Sequence, residues 1–377
     1  MKKIISLAAL LVPLAVAASA QSAEKSVIHF ALNQDIRSSQ PGVNRDGNTD
    51  DVLMHVVEGL VGYREDGTVG PMLASGWKMS DDGKTYTFTL REGVKFHNGD
   101  PVTAQDVVWS WKHWNDPKTQ WRCLREFDGS GLIHVTSVSA PDDKTVVMQL
   151  EKPVALFLDS LARTDCGAAA VISPKSVDAQ GKWLKPIGTG PFIFNDWKHG
   201  EYVSLQRFAD YSALPGKPDG FVGGKKALVD EVRFMAVPDA ATVKAGLQSG
   251  AIDVAQVSPV DASDLKHNPQ ISIEVAPNAQ RHGMLIQTND PLLKNVKLRQ
   301  AIASALDTQQ IALGTSQNMA TPSNSNISTA SAFYTDVEKK GYQYDPARTA
   351  RLLKEAGYKG ETIEIIANKR STVPSFD

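Results

Sequence analysis

The residues able to do chemistry in this 377-residue sequence are many, but they are not arranged as a catalytic centre. Eight histidines are scattered singly, without the spacing of metal ligands. There is no Gly-x-Ser-x-Gly elbow, no His-Glu-x-x-His helix and no P-loop. Acidic residues are plentiful, yet none is paired in a motif, so each is expected on the solvated surface. No catalytic residue, no metal and no cofactor is expected. Two cysteines remain, Cys123 and Cys166. An even pair in an oxidising compartment suggests a disulfide; two separate buried thiols are the alternative.

The N-terminus indicates that compartment. Lys2 and Lys3 precede Ile4–Ala17, which is apolar apart from Ser6 and Pro13, and Ala18-Ser19-Ala20 is a small-x-small cleavage site. A basic start, an apolar core too short to span a bilayer and then small residues define a signal peptide over residues 1–20. No cysteine stands beside the cleavage site to carry a lipid, so the product is expected free in a Gram-negative periplasm. No later run is apolar and long enough for a membrane helix. With 42% hydrophobic residues the chain can bury substantial cores in two or more units. Its formal charge is −2; without residues 1–20 it has 38 basic against 42 acidic residues. It lacks any basic block, so nucleic acid is not an expected partner.

The elements that must position any site alternate between strand and helix. Val27–Asn33 is a strand, followed by a polar loop to Asn48. Thr49 or Asp50 caps a helix running to about Leu60. Thr85–Leu90 alternates strictly, with Tyr86, Phe88 and Leu90 on one face. Thr103 opens a helix with Asp106 at capping-box spacing. His134–Ala140 and Thr145–Leu150 are strands, and Pro191–Phe208 is β-rich around a Lys198-His199-Gly200 turn. Glu231–Val237, a helix from Asp239 to Gly250, and Ile252–Val257 make a strand–helix–strand run. Ile271–Ala276, Met284–Thr288 and Thr362–Ala367 carry strand patterns. Asn295 caps a helix through about Leu313, and Asp345-Pro346 opens one that Gly357 closes. Thr321–Ser331, rich in Ser, Asn and Thr, is a solvated loop. The order is mixed α/β.

Five runs carry a resemblance. They are Pro71-Met-Leu-Ala-Ser-Gly-Trp77 with Asp82 to Val108; Ile187-Gly-Thr-Gly-Pro-Phe192 with Trp197, Gly200 and Asp210-Tyr211; Val237-Pro-Asp-Ala-Ala-Thr242 with Leu247-Gln-Ser-Gly250 and Ile252-Asp-Val254; Lys297-Leu-Arg-Gln-Ala-Ile302; and Tyr344-Asp-Pro-Ala347 with Leu352-Leu-Lys-Glu-Ala-Gly-Tyr358. In this order, over about 290 residues, they resemble family 5 of the bacterial extracellular solute-binding proteins, the oligopeptide-, dipeptide- and nickel-binding group.

The resemblance implies a fold of the type II periplasmic-binding-protein kind: two α/β lobes around a cleft, with an extra β-rich subdomain. Lobe I would take residues 24–50 and 186–280, the inserted α+β subdomain 51–185, and lobe II 281–377. Members of the family run on well past the position of Asp377, so the second lobe is expected to be incomplete. Lobe closure would bury a small ligand, taken to be a peptide, for delivery to an ABC transporter permease in the inner membrane. The binding protein is expected to act as a monomer. Within the resemblance, Gln34, Asp35 and Arg37 follow the first strand at the ligand-facing end of lobe I. Arg281 and His282 stand near the crossing between lobes, where relatives often have an aromatic. Arg370, with Lys369 beside it, is the nearest match to an arginine that holds the ligand carboxylate in dipeptide-binding relatives. The same scaffold could take a metal chelate, an opine-like conjugate or a sugar. Outside it, the alternatives are a periplasmic hydrolase or a chaperone.

Overall fold

The computed structural model describes residues 25–44, 46–276, 283–329, 331 and 333–366. Residues 1–20, Arg281, His282, Lys369 and Arg370 therefore lie outside the described residues, and with them the signal peptide and four of the ligand-binding expectations.

Two sheets organise the chain. The first contains β1 (Val27–Leu32), β6 (Phe192–Lys198), β7 (Tyr202–Arg207), β8 (Glu231–Ala236) and β9 (Val254–Ala255), and the second β2 (Ala74–Met79), β3 (Thr85–Leu90), β4 (Val135–Ser139) and β5 (Thr145–Leu150). The five-stranded sheet has the order β9-β1-β8-β7-β6. β1 runs parallel to both β8 and β9, with Leu32 opposite Ala236 and Ala31 opposite Ala255, while β7 and β6 are antiparallel. The four-stranded sheet, β2-β3-β5-β4, is wholly antiparallel. All strands of the first sheet come from residues 24–50 and 186–280, and all strands of the second from 51–185. One apolar core nevertheless runs through both segments, from Leu32, Phe192 and Val203 to Phe88, Trp114 and Met148.

The longer helices are α1 (Gly47–Leu53), α2 (Ala104–Asn115), α3 (Ala240–Ser249), α4 (Pro259–Leu265), α5 (Val296–Ala305), α6 (Thr308–Thr315) and α7 (Pro346–Ala356); α5 and α7 pack on each other. In α2, Val107, Trp111 and Trp114 are buried on one stripe, as the sequence predicts. Its start is fixed by the Asp106 carboxylate, which accepts from the Thr103 main-chain N (2.8 Å) and from the Thr103 hydroxyl (2.7 Å). Replacing Asp106 with Ala should cost about 1 kcal/mol, the usual value of a lost cap. Urea denaturation followed by tryptophan fluorescence would measure it, and an unchanged midpoint would count against the cap.

Several expected elements differ. α1 is capped by Asp46 rather than by Thr49 or Asp50, and it stops at Leu53. Beyond it, the His55 and Val56 carbonyls leave the helix to accept from Phe192 N (3.1 Å) and Gly190 N (2.9 Å) of a crossing segment. The helix expected over 295–313 is two helices. Asp307 accepts from Gln310 N and so caps α6, an N-cap in mid-pattern that apolar periodicity does not register. The strand expected over Ile252–Val257 shortens to β9. The described parts of Ile271–Ala276, Met284–Thr288 and Thr362–Ala367 are not strands. An extended segment becomes a strand only with a hydrogen-bonded neighbour, and no described segment lies alongside these. Their apolar side chains stand in solvent, with Leu285 at 99% and Ile366 at 90% exposure.

Cys123 and Cys166 are bonded, with Cα atoms 5.6 Å apart. Around the bridge, Trp121 Nε1 donates to the Cys166 carbonyl and Trp114 Nε1 to the Ala170 carbonyl.

Candidate functional site

Parallel strands place their carboxyl ends together, and in open α/β sheets that edge is where ligands bind. Here the carboxyl ends of β1, β8 and β9 border an open recess. β1 contributes Phe30 to Asn33, β8 leads into Val237-Pro238, and β9 leads into Gln256 to Ser258. The first turns of three helices close it: Asn48 and Asp51 from α1, Ala240 and Val243 from α3, and Asp261 from α4.

Each of these helices starts where it does because a side chain caps it. Asp46 accepts from Thr49 N, Asp239 from Thr242 N, and Ser258 from Asp261 N. Of the three starts, the one at Asp239 is where the sequence pattern puts it; the α1 cap was expected at Thr49 or Asp50, and no helix was expected after Ser258. The polar groups of the recess are held in place. Asn48 Nδ2 donates to Asn33 Oδ1 (2.9 Å) and to the Gln34 carbonyl (2.9 Å), fixing the end of β1 to α1. Asp261 accepts from the Ser258 hydroxyl at 2.7 Å and lies 3.2 Å from Lys244 Nζ. The recess therefore combines an apolar floor with amide, hydroxyl and carboxylate groups, a composition suited to holding a polar small molecule by hydrogen bonds.

Gln34, Asp35 and Arg37 all lie at this edge of the sheet, and the structure gives them different tasks. Gln34 is exposed beside the recess, and its carbonyl is held by Asn48. The Asp35 carboxylate accepts from Trp197 Nε1 (3.0 Å), Gly200 N (2.8 Å) and Ile36 N (2.8 Å). It thus anchors the β6–β7 turn. Arg37 is largely exposed, with Nε 3.6 Å from Asp46. The recess residues Asn48, Asp51, Gln256 and Asp261 were not singled out from the sequence. The available signal was the capping pattern, which places the first turn of a helix at a strand's carboxyl end.

A second polar cluster is buried under the fold. Glu58 is 1% exposed, and its carboxylate accepts from Thr189 Oγ1 (3.0 Å), Tyr211 OH (2.9 Å) and Lys225 Nζ (2.8 Å). Burial and the Glu58 charge push the Tyr211 hydroxyl's pKa up. Glycine makes the adjacent crossing possible. A Cβ on Gly188 would sit 2.2 Å from the Val56 carbonyl oxygen, and one on Gly190 2.5 Å from that of His55.

The described residues thus combine a mixed five-stranded α/β sheet, a recess at its strand ends and a separate antiparallel sheet. Residues 68–375 match the sequence model for "Bacterial extracellular solute-binding proteins, family 5 Middle", and the chain belongs to that family. The glutathione-binding protein GsiB of Salmonella typhi is 29% identical over 357 residues, covering 93% of this chain and 65% of that protein. The chain thus spans about 65% of the length of the curated relatives it matches. Among solved structures, DppA from Helicobacter pylori in complex with the peptide STSA is 26% identical with a TM-score of 0.71, covering 89% of this chain and 67% of that one. AgaA from A. tumefaciens R10 in complex with agropinic acid is also 26% identical, with a TM-score of 0.67 and coverage of 88% and 64%. Both are binding proteins with the same mixed α/β, two-lobe architecture. Among the described residues no helix is long and apolar enough to cross a membrane.

Proposed function

We propose that this protein is a periplasmic, non-enzymatic receptor that captures a small peptide and delivers it, as a monomer, to the permease of an ABC importer. The observation that carries the reading is the recess at the carboxyl ends of β1, β8 and β9, lined by Asn33, Asn48, Gln256 and Ser258. These groups can pair with the amide groups of an extended peptide, and closure of a second lobe would exclude water and strengthen each bond. GsiB, which binds the tripeptide glutathione, and DppA, which holds a tetrapeptide, support the choice of ligand class. Gln34 and Arg37 belong to the rim of this site, whereas Asp35 supports it through the β6–β7 turn. Arg281, His282, Lys369 and Arg370 complete the proposed set.

A specific observation favours a second reading: AgaA, at the same 26% identity as DppA, holds an opine. A thermal-shift screen of the natural full-length protein with glutathione, tri- to pentapeptides and agropinic acid separates the two. The peptide reading expects a peptide to raise the Tm. Replacing Asn48 with Ala should then weaken the best peptide by more than about tenfold in titration calorimetry, the cost of a lost, water-excluded hydrogen-bonding group. Stabilisation by agropinic acid and by no peptide would replace the first reading with the second.

A further inference from the structure

We infer that His97 is an acid-sensitive clasp: protonation of its ring releases the Ile187–Phe192 crossing from the loop that precedes α2. His97 holds that crossing twice. Its main-chain N donates to the Gly188 carbonyl at 2.9 Å, and its ring Nε2 lies 3.0 Å from the Gly190 carbonyl. A carbonyl can only accept, so the neutral ring must carry its proton on Nε2 and leave Nδ1 bare. Nδ1 is buried, and it has no hydrogen-bond partner among the described residues. A second proton would therefore create a charged N–H donor in a buried place with nothing to receive it.

The surroundings prevent the ring from turning away to find an acceptor. It stands edge-on to Phe208, with centroids 5.0 Å apart. Behind the crossing, Gly190 N and Phe192 N donate to the Val56 and His55 carbonyls, so close that a Cβ at Gly188 or Gly190 would not fit. The charged groups nearby have other partners. Glu58 is the charge that favours the protonated ring, but its carboxylate is taken up by Lys225, Tyr211 and Thr189. On the His97 loop, Lys95 pairs with Asp210 at 2.9 Å and Lys175 with Asp100 at 2.8 Å. Burial wins over Glu58 and pushes the ring's pKa from 6.5 down to about 4. His55, on the other side of the crossing, is a second imidazole held neutral by burial, with Nδ1 2.7 Å from the Asp51 carbonyl and its ring against Phe192.

The sign follows from these shifts. The unfolded or opened state takes up its proton near pH 6.5 and the closed state only near pH 4, so the clasp is at full strength above 6.5 and weakens as pH falls toward 4. Each pH unit in that window favours opening by up to about tenfold.

Hydrogen exchange of the Gly190 and Phe192 amides in the natural full-length protein tests this. The protection factors of the wild type should fall roughly fortyfold between about pH 6.5 and 4.5, while those of His97→Gln, which keeps an N–H donor but cannot titrate, should fall less than about tenfold. Equal pH dependence in the two proteins would overturn the clasp. Should His97→Gln fail to fold, NMR titration of the wild-type imidazole decides. Titration below pH 5, together with loss of Gly190 protection, supports the clasp, and titration near 6.5 with protection unchanged refutes it.

Discussion

Replacing Glu58 with Ala is expected to remove about 3–5 kcal/mol of stability, the usual result of leaving one member of a buried ion pair alone. The Lys225 side chain is only 18% exposed and would keep its charge beside a cavity, while Thr189 and Tyr211 would lose their acceptor. The pair's net worth is a different quantity, because desolvating two charges offsets much of their attraction. The double substitution Glu58→Gln with Lys225→Met should accordingly cost much less than Glu58→Ala alone. Urea denaturation of all three proteins at neutral pH gives the comparison. A loss below about 1 kcal/mol for Glu58→Ala would show that the cluster is hydrated and contributes little.

Removing the Cys123–Cys166 bridge by a double serine substitution should cost about 4 kcal/mol in the chain-entropy estimate for the 43-residue separation it spans. The bridge ties the segment after α2 to the buried strip that ends at Ile172, where Ser110 and Trp114 of α2 also bind. Its loss should therefore loosen the four-stranded-sheet segment first. Denaturant midpoints of the oxidised and the double-serine proteins would show it, and coincident curves would mean that packing around Trp114 and Trp121 holds this region without the bond.

How much of this was legible in the sequence depended on how local the cause was. Thr85–Leu90 appears at the expected bounds because strict alternation states both the strand and its buried face, and Thr145–Leu150 appears at its expected bounds paired with it. The helices opened by Asp239 and Asp345 appear where their caps put them. Met284–Thr288 and Thr362–Ala367 were also expected as strands, yet their described residues form none, since a strand also needs a neighbour that its own residues cannot supply. Glu58 was legible only as an acid inside an apolar run. Its partners lie 131, 153 and 167 residues away, and no local pattern links them. The site was legible in outline, as the end of the first strand. The caps at Asp46 and Ser258 bring Asn48 and Asp261 to the recess, and Asp35 bonds Trp197 and Gly200 of the β6–β7 turn, partners 162 and 165 residues away that no local pattern links to it.

The proposed role is tested most directly by native mass spectrometry of the natural full-length protein, taken from the periplasm without added ligand and then denatured to release what it holds. The account predicts a mass shift of roughly a few hundred daltons, the size of a short peptide. It further predicts that fragmentation of the released molecule identifies a short peptide, and that the Asn48→Ala protein carries less of it. A protein that retains a non-peptide solute, or one whose bound peptide is undiminished by Asn48→Ala, would contradict it.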